Sequence, residues 1–365
     1  MNPRNRIKIR VALSGAVAAI AIALPVAQAG HAASQNPTPT AGLRDGSHDF
    51  DFNFGVWHTR IRRILDPFDA ASETSEMEGT VNVRKIWGGR AALEEIEVDG
   101  PKGRWEGMTL FLYNPQAHQW SQSFISSGAG TLNTPTVGSF HDGVGELYSQ
   151  DSFRDRSILV RGTWSDIEAD SHRYEESYSD DGGATWHPAF LAQVTRAQEA
   201  LPAQGGGAHD FEFDMGRWQT HSRRLLKPLT GSTEWVELEG ETDVAPIWGG
   251  KANIAEYRAA GPSGPIELLS LRWFNPVAHE WNLDFATPGA GVLGIPGAGR
   301  FHNGRADFYD QESIDGRSVL VRFSIWGIDA NSAQSEQAFS ADGGKTWELN
   351  WVNRYSRKTP KRPAQ

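Results

Sequence analysis

The polar residues that could do chemistry in this 365-residue chain come in matched pairs, 161 positions apart. His48, His118 and His141 match His209, His279 and His302. Arg62-Arg63 matches Arg223-Arg224, and Glu95, Gln150 and Arg161 match Glu256, Gln311 and Arg322. Adjacent arginines on a strand face opposite sides, so one of each pair points inward when the other points out. An inward arginine with Glu95 and His141 would orient a polar ligand, or supply the acid and base of a cofactor-independent lyase, isomerase or hydrolase. The same residues also fit a satisfied ion pair, because a buried charge needs a partner. Three histidines raise the question of metal or haem. No His-x-His or His-x-x-x-His spacing puts two of them on one face, so no metal and no other cofactor is expected. Gly-x-Ser-x-Gly, His-Glu-x-x-His and EF-hand patterns are absent.

Tryptophan is abundant, with 14 in the chain. Trp57, Trp87, Trp120 and Trp186 match Trp218, Trp248, Trp281 and Trp347. Tryptophan faces line apolar or sugar-binding pockets, and they also fill the cores of small barrels. Trp57 and Trp186 read as core first, with a lining role kept open for Trp57 and its match Trp218. Trp87 and Trp248 precede Gly-Gly, and a rigid ring before a flexible bend suits a cavity mouth. The expected ligand-lining set is therefore Trp57, Trp87, Trp218 and Trp248 with the matched arginines, Glu95, Glu256, Gln150, Gln311, His141 and His302.

The elements that position these residues follow from the repeat. His48-Asp49-Phe50-x-Phe52-x-x-Gly55-x-Trp57 recurs at His209, and the offset holds without a gap to Arg196 and Arg357. Roughly 40% of the positions agree, beyond what chance produces. A period this long is domain-sized, so each copy has its own core. Apolar–polar alternation over Trp57–Leu65, Gly107–Tyr113, Trp120–Ile125 and Ser157–Trp164 marks strands, and helical periodicity is nearly absent. Asp142-Gly143 and Asn303-Gly304 are strong hairpin signals. Eight to ten strands per copy give an all-β sandwich or barrel, and closure, which removes exposed edges, favours the barrel. Ser-x-Asp-x-Gly-x-Thr-Trp at Ser179 and Ser340 is an Asp-box, a structural hairpin. One box per 161 residues is too sparse for a propeller. Gly128-Ala129-Gly130 and its match at Gly289 lack the lysine of a phosphate loop and read as a loop or bulge.

Phe50-Asp51-Phe52-x-x-Gly55-x-Trp57, with the Asp-box and a terminal arginine, resembles a bacterial domain family of unknown function placed with calycin-type, lipocalin-like barrels. The likeness spans both copies. It implies two tandem calycin-like antiparallel β-barrels, each with an internal cavity, and brings no catalytic residues. Such barrels often close one end with arginine over tryptophan.

Composition bounds the function. The chain has no cysteine, which excludes disulfides and thiolate chemistry. Its net charge of -10 argues against a nucleic-acid partner. Arg4, Arg6, Lys8 and Arg10 precede an apolar run over 11–26 and Ala27-Gln28-Ala29, the layout of a cleaved secretory signal. The run is short for a membrane span, so no stable anchor is expected after cleavage. The expected order is a signal peptide (1–29), a leader (30–47), a first barrel (48–196), a linker (197–208), a second barrel (209–357) and a tail (358–365). The function expected is a periplasmic or secreted protein holding a small apolar or aromatic molecule. An enzyme, or a structural module of barrels packed face to face, is the alternative.

Overall fold

The computed structural model describes residues 44–197, 210–262 and 264–357. The segment expected to be a signal peptide, most of the expected leader and linker, and the expected tail lie outside the described residues. The first copy forms ten strands: β1 (Gly55–Ile64), β2 (Thr74–Ile86), β3 (Ala91–Gly100), β4 (Gly103–Asn114), β5 (Gln119–Ser126), β6 (Thr136–His141), β7 (Val144–Phe153), β8 (Arg156–Ser165), β9 (Ser171–Ser179) and β10 (His187–Arg196). The second repeats them: β11 (Gly216–Leu225), β12 (Trp235–Ile247), β13 (Ala252–Gly261), β14 (Gly264–Asn275), β15 (Glu280–Ala286), β16 (Gly297–His302), β17 (Arg305–Ile314), β18 (Arg317–Trp326), β19 (Ser332–Ser340) and β20 (Glu348–Ser356). Each set is an antiparallel meander closed by its first and last strands, β1 on β10 and β11 on β20. The chain is thus two tandem calycin-like barrels with no open sheet edge.

Turn chemistry sets the strand boundaries. Asp142-Gly143 and Asn303-Gly304 take positive φ at both residues, as a type I′ hairpin requires. His118 and His279 both sit at φ +53 in the turn after Asn-Pro, where Asn114 and Asn275 side chains accept backbone N–H bonds. Histidine is among the residues enriched in that left-handed conformation. A turn requirement accounts for this matched pair. In the Asp-boxes, Asp181 and Asp342 accept from the backbone and hydroxyl of Thr185 and Thr346, as expected for structural hairpins.

Each barrel has a plug at one end. The segment before β1 crosses the opening, and Phe50 packs 4.6–5.1 Å from the rings of Phe111, Trp120, Phe140 and Trp164. Trp57 is fully buried, with the Arg196 guanidinium 3.9 Å from its ring. Arg196 also donates to the carbonyls of Phe54 and Ala169. Arg357 covers Trp218 at the same distance and donates to Phe213 and Met215. The closing arginine is thus the last residue of each repeat.

The barrels meet through their outer faces. Ile86, Trp87, Leu93, Leu110 and Leu112 of the first share one buried cluster with Ile247, Trp248, Ile254, Leu271 and Trp273 of the second. The contact has an internal pseudo-twofold: Arg90 donates to Glu267 at 2.7 Å, and Lys251, its match, donates to Glu106, the match of Glu267, at 2.9 Å. Gly130 lies against Asn275, and Gly291 against Asn114; a Cβ at either would fall 2.4–2.6 Å from the asparagine side chain. These loops are glycine-bearing because the other barrel approaches that closely. Trp87 and Trp248 take φ of +49 and +50, a strained choice for a bulky residue, offset by their burial in the interface.

Candidate functional site

Strand parity decides which side chains see the barrel interior. With Trp57 inside, β1 also turns Thr59, Ile61 and Arg63 inward, and β9 turns in His172, Tyr174, Glu176 and Tyr178. The first barrel holds a cavity of ≈340 Å³ lined by these residues with Glu94, Thr109, Gln122 and Trp164, and the second holds one of ≈360 Å³. Each equals roughly eleven or twelve waters at ~30 Å³ apiece, room for a small organic molecule. Each cavity extends from the plug toward the opposite barrel end, where Arg63 and Arg224 stand.

Of the ligand-lining candidates read from the sequence, only Arg63 and Arg224 line a barrel interior, while His141 and Glu256 border open pockets on the outer surface. Trp57 and Trp218 belong to the plugs. Trp87 and Trp248 lie between the barrels rather than at a cavity mouth, because each opens the short 3-10 turn after β2 or β12 and that turn packs against the other barrel. Arg62 and Arg223 are on the outer surface with Glu76 and Glu237. Glu95 also faces outward, near Arg84, and Glu256 pairs with Arg258. His141 and His302 are exposed at hairpin ends, beside Ser139 and Asn303. Gln150 and Gln311 donate to Ser157 and Ser318 on the outer face. Arg161 and Arg322 stack there on Trp186 and Trp347, at 4.5 and 4.7 Å, so these two tryptophans are not interior core. The expected Arg–Glu–His grouping is therefore not assembled: its members face different sides of the wall. Among the described residues no group of three His, Asp or Glu could hold a metal ion.

The interior groups are ones the repeat comparison passed over. In the first cavity Thr109 donates to Glu94 at 2.8 Å, and Tyr178 donates to Glu176 at 2.9 Å. Burial pushes both carboxyls toward their protonated form. Burial also lowers His172 to about 4, so the ring is neutral at pH 7; it packs edge-on to Trp57 and Phe52. The second cavity carries other residues at these positions. Ala255 replaces Glu94, Ala333 replaces His172, Ser335 replaces Tyr174, and Gln337 replaces Glu176. Several of its interior polar groups answer one another, while Asp284 Oδ2 and Asn350 Nδ2 have no hydrogen bond. Tyr257 donates to Ser222, Ser222 to Asn353, and Asn353 to Ser335, which meets Tyr355 at 2.9 Å. Arg272 and Asp214 form a buried ion pair. The signal that could have found these groups was the parity of His172-x-Tyr174-x-Glu176-x-Tyr178.

On the second barrel, burial and then the neighbouring Glu312 and Asp284 raise Asp310 to about 8. A carboxyl raised above its unfolded value keeps its proton in the native state while the unfolded chain releases it. Its contribution is present below about pH 4 and is lost as pH rises toward 8. Asp310→Asn is expected to flatten the second barrel's stability across that window, by up to about 1.4 kcal/mol per pH unit. Urea unfolding at pH 5, 6, 7 and 8 measures it. An unchanged slope in the variant would refute the assignment.

The fold and its cavities thus define a tandem calycin-like barrel protein. No protein-family model and no curated protein sequence matches the chain. Among solved structures, it is similar to a protein of unknown function from the DUF3598 family of Nostoc punctiforme PCC 73102, at 10% identity and a TM-score of 0.24, covering 86% of this chain and all of that one. It is also similar to the S-type phycobiliprotein lyase CPES from Guillardia theta, at 11% identity and a TM-score of 0.30, covering 41% of this chain and 92% of the lyase. Transferrin binding protein B from Haemophilus parasuis Hp5 is a third, at 6% identity and a TM-score of 0.15, with coverage of 82% and 75%. The barrel assignment rests on the closed strand order itself.

Proposed function

We propose that the protein is exported and binds a small apolar or aromatic molecule inside its barrels. One observation carries the reading: each barrel is plugged at one end and hollow beyond the plug, with a cavity whose wall mixes aromatic and aliphatic side chains with polar ones. A barrel selected only for packing would fill that space, since voids of this size forfeit dispersion contacts and stability. The charged N-terminus, apolar run and Ala-x-Ala site support export. The enzyme alternative loses its residues, because Arg62, Arg63, Glu95 and His141 do not converge.

The test is a titration with N-phenyl-1-naphthylamine, a neutral apolar fluorophore. Saturable enhancement is expected, with energy transfer from Trp105 and Trp164, which line the first cavity, and from Trp351 in the second. Aromatic competitors should displace it. A linear, unsaturable signal with the folded protein would remove the reading.

A further inference from the structure

The first cavity is built for positive charge. Its lining sets Glu94, Asp151 and Glu176 against a single guanidinium, Arg63, with His172 neutral. Among the described residues neither Glu94 nor Glu176 has a cation within ion-pair distance, and only Arg63 acts on Glu176 from further off; Glu94 accepts from the Thr109 hydroxyl and Glu176 from that of Tyr178. Around them stand the rings of Trp105, Phe124, Trp164, Tyr174, Tyr178 and Phe190. An aromatic face carries negative electrostatic potential, and several faces with a carboxylate make the usual host for an ammonium. Tyr174 lies within electrostatic reach of both Glu94 and Glu176, which places the two acids about one region of the cavity.

Two further side chains are left wanting a partner. Thr59 Oγ1 and His172 Nδ1 have no hydrogen bond, although both residues line the cavity and are only 1% and 3% exposed. Both atoms are sealed by their own neighbours, so they offer a guest no contact, and the recognition falls to the cavity's carboxyls and rings. The second barrel lacks this design. It has Ala255, Ser335, Gln337 and Phe339 in place of Glu94, Tyr174, Glu176 and Tyr178, and Ile325 in place of Trp164. At its cavity lining Asp284, Glu312 and Asp315 are offset by Arg224 and Lys227.

We infer that the first barrel takes an amphipathic organic amine, its ammonium held among Glu94, Tyr174 and Glu176 and its apolar body against Trp105, Trp164 and Phe190. This deepens the reading of the barrels as small-molecule hosts and rests on it. Burial favours the neutral form of both acids, and a bound ammonium would draw them back to carboxylates, supplying the counter-charge that Glu94 lacks and that Glu176 has only from Arg63; an anionic guest would gain nothing from either acid and would have only Arg63 to receive it.

The experiment is a calorimetric titration of the full two-barrel protein at pH 7.5 with three guests sharing one body: 4-phenylbutylamine, 4-phenylbutan-1-ol and 5-phenylpentanoate. The amine is expected to bind at least ten-fold more tightly than the alcohol, and the carboxylate most weakly. Glu94→Gln with Glu176→Gln keeps the shape and the Thr109 and Tyr178 partners. It should bring the amine to the alcohol's level while leaving the alcohol within about three-fold. Glu312→Gln, in the second barrel, should leave the preference intact. Each single glutamine variant serves where the double variant does not fold. Equal binding of amine and alcohol, tighter binding of the carboxylate, or a preference that survives the glutamines overturns the cationic guest and leaves small-molecule binding standing. No binding by any of the three, with no uptake of the neutral fluorophore, overturns both.

Discussion

Trp57→Ala is expected to lower the stability of the first barrel by about 3–5 kcal/mol, the usual range for removing a fully buried tryptophan. The loss has three parts. A cavity opens in the plug; Arg196 loses the ring beneath it at 3.9 Å; and the Asn53 carbonyl loses its indole donor at 2.8 Å. For a domain of this size about 2–4 °C is lost per kcal/mol, so the first barrel should melt on the order of 10 °C lower. The second barrel has its own plug, built on Trp218 and Arg357, and should move much less. Trp218→Ala should give the mirror result. Differential scanning calorimetry with both variants measures this. Equal movement of both barrels in either variant would show that the plugs are not independent.

The second large effect is expected at the contact between barrels. Leu271 is fully buried, in the apolar cluster shared by the two halves. Leu271→Asp places a carboxylate there with no partner provided, a penalty of several kcal/mol unless the contact opens. Opening is available, since each barrel closes its own hydrogen-bond ladder. The expected outcome is intact barrels that no longer pack. Far-ultraviolet circular dichroism should be preserved, the radius of gyration from small-angle scattering should rise, and unfolding should separate into two transitions. A variant as compact as the parent, with unchanged unfolding, would show that the cluster does not hold the halves together. Loss of all β structure would show that the barrels need each other to fold.

The candidate site was less legible than the fold, for a physical reason. Residues kept in both copies were weighed as functional, yet Trp57, Arg161, His118 and the terminal arginines are kept because every barrel of this kind needs its plug, its hairpins and its left-handed turns. The cavity residues differ between copies: Glu94 against Ala255, Glu176 against Gln337. Agreement between repeats mostly marks the scaffold, with Arg63 and Arg224 the kept pair that lines both cavities, and disagreement at inward positions marks how the two interiors differ. Arg62-Arg63 shows how near the reading came. One in and one out was legible from alternation; that Arg63 is the inner one follows only once Trp57 is known to face inward.

The sequence by itself determined the duplication, the antiparallel β class, the hairpins at Asp142-Gly143 and Asn303-Gly304, and the structural nature of the Asp-boxes. Those are local matters, settled by alternation, glycine's freedom and side-chain caps within a few residues. Only the tertiary structure decided that Trp87 and Trp248 meet between the barrels, that Glu95 faces out while Glu94 faces in, and that the acids of β3 and β9 share one cavity. Closing a ten-strand sheet brings together residues more than eighty positions apart, and no local pattern encodes which of them will meet.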